Sequence, residues 1–210
     1  MDTLLGEMAY PGGTRVLLCW LEQDAARLLS MCGQAGVPVG DLADLPPKRQ
    51  REQAAERLLL WRALGQHVTL GHTSQRAPFV QGMDVNISIT HTMGLVALAL
   101  NDRHVIGLDA ESIGRPQLLR LRDKFLNSSE QQFIPPDDLM AHVIAWTVKE
   151  AVIKAERNSA INWTQDIRVA PFEYNSQGGI ITASYGANRY RLEARRLRDH
   201  FLTLAQPAVP

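Results

Sequence analysis

The apolar positions of the chain fall into short β-rich runs and longer stretches with a repeat of three to four. TRVLLCWL (Thr14–Leu21) is a run of the first kind. It precedes EQDAARLLSMCGQAG, whose apolar residues recur at helical spacing until Gly33 and Gly36, so a strand followed by a helix is predicted. After Pro46 and Pro47, KRQREQAAERLLLWRALG is built from strong helix formers and stops at Gly65, a suitable C-cap. Val85–Ile89 and Gly94–Asn101 read as strands, the second alternating Val96, Leu98 and Leu100 with Ala97 and Ala99, and THTMG forms the turn between them.

HVIGLDAES continues as a further strand across an Asn101–Asp102 turn. Pro116 then opens a helix with Leu118, Leu121 and Phe125 at helical spacing, ending at Asn127. Ser128 with Gln131, or Ser129 with Gln132, offers a capping box for a short helix stopped by Pro135 and Pro136. Asp137 or Asp138 caps a long helix from Leu139 to Ala155. DIRVA, GGIITASYG, RYRLEARRL and HFLTLA are predicted strands, with hairpin turns at Gly178–Gly179 and Gly186.

Helix and antiparallel strand thus occur in comparable proportion on either side of Asn101–His104. This predicts an α+β protein of two similar lobes, residues 1–103 and 104–210, without a detectable sequence repeat. At 210 residues the chain can bury a sizeable core. Its 22 lysines and arginines balance 22 aspartates and glutamates, so no global field draws it to nucleic acid or an anionic membrane. Cys19 and Cys32 lack metal-ligand spacing and fit a reducing compartment. The opening MDTLLGEMAYPGG lacks a basic segment followed by an apolar core, and the longest apolar run, Leu139–Val148, is too short to span a bilayer. A cytoplasmic protein is the expectation.

The long helix poses the chemical question, because Lys149, Glu150 and Lys154 crowd the end of its apolar run. Leu139, Val143, Trp146, Glu150 and Ile153 follow steps of four, three, four and three, which makes one stripe that Glu150 interrupts. A carboxylate in an apolar face loses hydration and requires a partner. Lys154, one turn further on and about 40° around the helix, can supply an i,i+4 salt bridge. The second source lies in VIGLDAES, where strand alternation puts Gly107, Asp109 and Glu111 on one face. Two adjacent carboxylates favour a cation, and hard oxygen ligands indicate Mg2+ or Mn2+. Gly107 beside them leaves room for a ligand's bulk. If Glu150 packs on this strand, Asp109, Glu111 and Glu150 form a metal site bordered by Lys149 and Lys154. The bland alternative is an acidic strand face in water.

GLDAES followed by WTVKEAVIKA resembles the GxDxE and WxxKEAxxK motifs of the surfactin-type 4'-phosphopantetheinyl transferases. NISITHT and FLNSSE are similar to two further elements of that family, in the family's order. The resemblance spans roughly Lys48 to Ala155. It implies a pseudo-twofold, two-lobed α+β fold whose lobes are antiparallel sheets packed on helices, with coenzyme A between them. It also implies Mg2+-dependent transfer of the phosphopantetheine arm to a serine of an acyl or peptidyl carrier protein, with release of 3',5'-ADP. No nucleic acid or membrane partner is expected. A monomer is, because two lobes already form the cleft.

Carried over by position, Asp109, Glu111 and Glu150 hold the metal on the coenzyme's pyrophosphate, and Lys154 contacts that pyrophosphate and stabilises the leaving phosphate. Glu130 matches the glutamate that helps deprotonate the carrier serine, with Glu150 as a competing base. His91, with Thr90 where serine is usual, matches a contact to the 3'-phosphate, and Arg57 reaches the same group. The family's Gly-Lys-Pro is replaced here: Ala77 stands at the lysine position, with Arg76 before it as a weaker substitute. That departure motivates an alternative, a catalytically impaired homologue that still binds coenzyme A. RYRLEARRLR is either a docking surface for an acidic carrier or an edge strand protected by charge.

Overall fold

The computed structural model describes residues 5–22 and 24–208. The chain is α+β and divides into two compact units. One runs to His72 and resumes at Pro78–Arg103; the other joins Thr73–Ala77 to the residues from His104 on.

The first unit contains β1 (Leu5–Ala9), β2 (Arg15–Trp20), α1 (Ala25–Gln34), α2 (Pro47–Leu64), β3 (Leu70–His72), β4 (Pro78–Val80), β5 (Asn86–Thr92) and β6 (Leu95–Asn101). Strands β1-β2-β6-β5 form an antiparallel sheet, and β3-β4 a separate ribbon. Asp24 caps α1 by accepting from the Arg27 amide at 2.9 Å. Gly65 ends α2 in the left-handed region, φ 71°, where a Cβ would be strained. Leu17 and Cys19 of β2, Leu28 and Cys32 of α1, Ala54, Ala55 and Leu59 of α2, and Val96 and Leu98 of β6 are buried together, with α2 lying on β2 and β6 and α1 packed against α2. Each buried leucine or valine of this kind contributes about 1.5–3 kcal/mol. The sequence predicts a turn over THTMG, but β5 runs on through Thr90, His91 and Thr92, and only Met93–Gly94 reverse the chain. Strands β1, β3 and β4 had no sequence signal.

The second unit comprises β7 (Gly107–Ser112), α3 (Gln117–Phe125), α4 (Glu130–Phe133), α5 (Leu139–Glu156), β8 (Ile167–Val169), β9 (Gly178–Tyr185), β10 (Asn188–Leu197) and β11 (His200–Pro207). Its sheet is antiparallel in the order β7-β11-β10-β9-β8. Thus β7 does not continue from β6; it pairs with the last strand of the chain. Gly178 and Gly179 open β9 rather than turn it, whereas the reversal at Gly186 occurs as expected. The arginine-rich β10 lies between β9 and β11, which removes the edge-strand reading. Tyr190, Leu192 and Ala194 point into the core, and Arg189, Arg191, Glu193 and Arg195 take the other face.

Helix α5 is the spine of this unit. Asp138 caps it, accepting from the Ala141 amide at 3.0 Å. Eleven of its residues are buried, among them Val143, Ile144, Val148 and Val152, against Phe125, Leu192 and Phe201. Thr147 and Thr203 share a 2.7 Å hydroxyl contact that ties it to β11. At Gly107 the backbones of β7 and α5 nearly touch: an added Cβ would lie 1.8 Å from the Ala151 carbonyl oxygen. The space expected for a ligand at Gly107 is therefore filled by α5 itself. Neither predicted capping box forms at α4; Asn127 Oδ1 accepts from the Glu130 amide at 3.0 Å and from Ser129 Oγ at 2.8 Å instead. Among the described residues no helix is long and apolar enough to cross a membrane.

Candidate active site

The close approach at Gly107 brings the end of α5 against the acidic face of β7. Lys154 Nζ donates to Asp109 Oδ1 at 2.7 Å and to the Leu108 carbonyl at 2.9 Å. Asp109 is buried and Lys154 partly exposed. Lys154 therefore pairs with the strand carboxylate and not with Glu150 in its own helix. Glu111 accepts from the Ser112 amide at 2.9 Å and is clamped by Arg115, whose guanidinium lies 5.1 Å from the centre of the Trp146 ring.

Glu150 differs from both. It accepts no hydrogen bond among the described residues, and its carboxyl is pushed up to about 7, first by burial and then by the negative charges of Asp109 and Glu111. Lys154 and Arg115 oppose that rise without cancelling it. The stripe Leu139–Val143–Trp146–Glu150–Ile153 is not the core face as predicted: Leu139, Trp146, Glu150 and Ile153 are only partly buried, and most of the rest of the helix is sealed. Glu150 therefore opens toward the acidic strand at the helix's partly exposed side.

The charge that does enter the core is Lys149. It is 0% exposed, and its ammonium donates to Glu130 Oε2 at 2.6 Å and to the Trp163 carbonyl at 2.8 Å. Burial pulls Lys149 below the ordinary lysine range, with Glu130 opposing. Glu130 is 1% exposed and also accepts from the Asn127 and Val169 amides, each at 2.9 Å. The expectation that Lys149 borders the site is corrected by this placement, and Glu130, expected as a base, is surrounded by three donors.

In the first unit Arg57 makes a bidentate pair with Asp41, at 2.7 and 2.6 Å, and donates to the Pro38 carbonyl at 2.6 Å. The guanidinium holds the Asp41 carboxyl below the usual carboxylate range. His91 Nε2 lies 2.9 Å from Glu56 Oε2. Asp41, Glu56 and Arg57 line one cavity of about 450 Å³ with His67 and His72. Thr90 is buried, and strand alternation sends it to the face opposite His91, so the two do not present a joint surface. Arg76 is exposed in the Thr73–Ala77 turn, where its own φ is 63°.

Residues 105–205 match the family described as the 4'-phosphopantetheinyl transferase superfamily. No curated protein matches the chain significantly. The superfamily segment is just under half of the chain, and it includes Asp109, Glu111, Glu130, Glu150 and Lys154 but not Arg57, Arg76, Thr90 or His91.

Among the described residues, no group of three or more histidine, cysteine, aspartate or glutamate side chains is gathered closely enough to hold a metal as it stands. The donor chemistry nevertheless suits a hard divalent cation: three carboxylates oppose one another, two are engaged by Lys154 and Arg115, and the third accepts from no donor among the described residues. Sequence reasoning missed Arg115, Asp41 and Glu56. Arg115 had a signal, four residues beyond Glu111, but the turn that brings it back is not periodic. Asp41 and Glu56 meet their partners through tertiary packing alone.

Proposed function

We propose that the chain is a Mg2+-dependent 4'-phosphopantetheinyl transferase of the surfactin type, acting on an acyl or peptidyl carrier protein with coenzyme A as donor. The superfamily match supports the reaction class. The observation that carries the reading is the contact at Gly107, which sets Glu150 and Lys154 of α5 beside Asp109 on β7.

In the reaction the serine hydroxyl oxygen bonds to the phosphorus bearing the pantetheine arm, the diphosphate bridge breaks, and 3',5'-ADP leaves with the bridging oxygen. Asp109, Glu111 and Glu150 would hold Mg2+, which supplies charge neutralisation of the diphosphate. Lys154 is the cation already poised at Asp109; on turning to the diphosphate it offsets charge on the leaving oxygen. Of the two carboxyls weighed for the serine proton, only Glu150 reaches the partly exposed side of α5. Arg57 and His91 are proposed contacts of the 3'-phosphate, and each would exchange an internal carboxylate for it. A cytoplasmic monomer is part of the proposal, consistent with two buried free thiols.

The test is intact-mass analysis of apo carrier proteins incubated with the chain, coenzyme A and Mg2+. Addition of the arm is expected, and Asp109→Ala should abolish it. Failure with a panel of fatty-acid, polyketide and peptide carriers would refute the transferase reading; calorimetric binding of coenzyme A without transfer would instead support the impaired homologue that Ala77 suggests.

A further inference from the structure

We propose that Glu130 and Lys149 act as a positioning pair that fixes the rotation of α5 and so aims Glu150 at the acidic strand; Glu130 does not touch the reacting atoms. The inference rests on the transferase reading and deepens it. The pair is sealed, with exposures of 1% and 0%. A base must come within about 2.6–3.2 Å of the proton it takes. Glu130 instead spends its oxygens on Lys149, Asn127 and Val169.

Those contacts define what the pair can do. Lys149 reaches Glu130 at the start of α4 and the Trp163 carbonyl in the connection that follows α5, while Glu130 reaches the Val169 amide at the end of β8. One residue of α5 is thus tied to three separate segments. Lys149 and Glu150 are consecutive and lie about 100° apart around the helix, so fixing the first sets the direction of the second. Gly107 lets the helix approach β7 but places no side chain there to resist rotation. A 20° rotation moves a carboxylate about 6 Å from the helix axis by about 2 Å. A shift of that size takes the carboxylate out of ligand distance of a cation shared with the strand, so it is read first as weaker Mg2+ binding, which saturating Mg2+ offsets.

The test uses the full chain with Glu130→Gln, Lys149→Met and the double variant Glu130→Gln/Lys149→Gln. Melting temperature, Mg2+ binding by calorimetry and transfer kinetics are measured below the lowest melting temperature. Each single variant should melt lower and need at least about tenfold more Mg2+ for half-saturation, with kcat at saturating Mg2+ retained within about tenfold. The double variant, with no unpaired buried charge, should recover much of both losses. The proposal is overturned if Glu130→Gln melts like the parent yet loses 10²–10⁴ in kcat with no recovery in the double variant, the signature of a lost base. It is equally overturned if the variants melt lower but bind Mg2+ as the parent does, which would make the pair structural only. Should the parent transfer nothing, the transferase reading fails while the Mg2+ titration still decides the positioning role.

Discussion

Replacing Gly107 by alanine perturbs the contact on which the site depends, and the geometry sets the size of the effect. The new methyl carbon would stand 1.8 Å from the Ala151 oxygen and 2.7 Å from the Ala155 nitrogen, both backbone atoms that cannot rotate away. Bringing the first contact only to 3.0 Å requires α5 to retreat from β7 by at least about 1.2 Å. Overpacking of this kind costs about 2 kcal/mol, which lowers the melting temperature of a chain this long by roughly 4–8 °C. The same retreat draws Glu150 and Lys154 away from Asp109, so transfer at saturating coenzyme A should fall about 10²-fold. Differential scanning calorimetry and the mass-based transfer assay, run on the same preparation, read the two effects. A Gly107→Ala protein that melts and transfers like the parent would refute the claim that this backbone approach builds the site.

Other outcomes follow from the charges. Glu150 has its carboxyl raised from the ordinary 4.5 to about 7, so between those values the native state holds a proton that the unfolded chain has released. In EDTA its contribution to stability is therefore largest below pH 4.5 and declines by about 3 kcal/mol as pH rises to 7; Glu150→Gln should flatten thermal melts across that window and melt above the parent at pH 8. Because Mg2+ favours the ionised carboxyl, saturating Mg2+ should raise the melting temperature more at pH 8 than at pH 5.5, with Asp109→Ala abolishing the increment; equal shifts at both pH values would argue against a metal at this carboxylate. In the first unit, Arg57→Ala should raise the KM for coenzyme A about tenfold, whereas Asp41→Asn, which frees Arg57 from its bidentate partner, should lower it. An unchanged KM in both variants would remove Arg57 from the phosphate.

Most helices and the longer strands were legible because their signals are local. Asp138 and Gly65 are caps that the residue types announce, and the alternation in β10 is clean. Short β3 and β4 are too brief to establish a period, and the pairing of β7 with β11 joins segments about ninety residues apart. Lys154 was expected either to pair with Glu150 in its own helix or, if α5 packed on the acidic strand, to border Asp109; it donates to Asp109. The assignment of the buried charge went to Glu150 because helical periodicity reports an apolar stripe, not which side of an almost wholly apolar helix meets the core. With residues such as Ala145, Val148 and Ala151 apolar all around α5, either Lys149 or Glu150 satisfied the pattern, and only packing against α4 and β8 chose the lysine.

The eighteen residues of α5 have a double duty. Eleven of them fill the interior of the second unit, while others present Glu150 and Lys154 at its partly open side. On the proposed function, substrate preference is consequently hard to alter from within this helix, since almost any volume change that shifts Glu150 or Lys154 also disturbs the packing that lets the unit fold. Divergence in what the protein accepts should accumulate in the connections before and after α5 and on the outward arginines of β10, where variation leaves the interior intact.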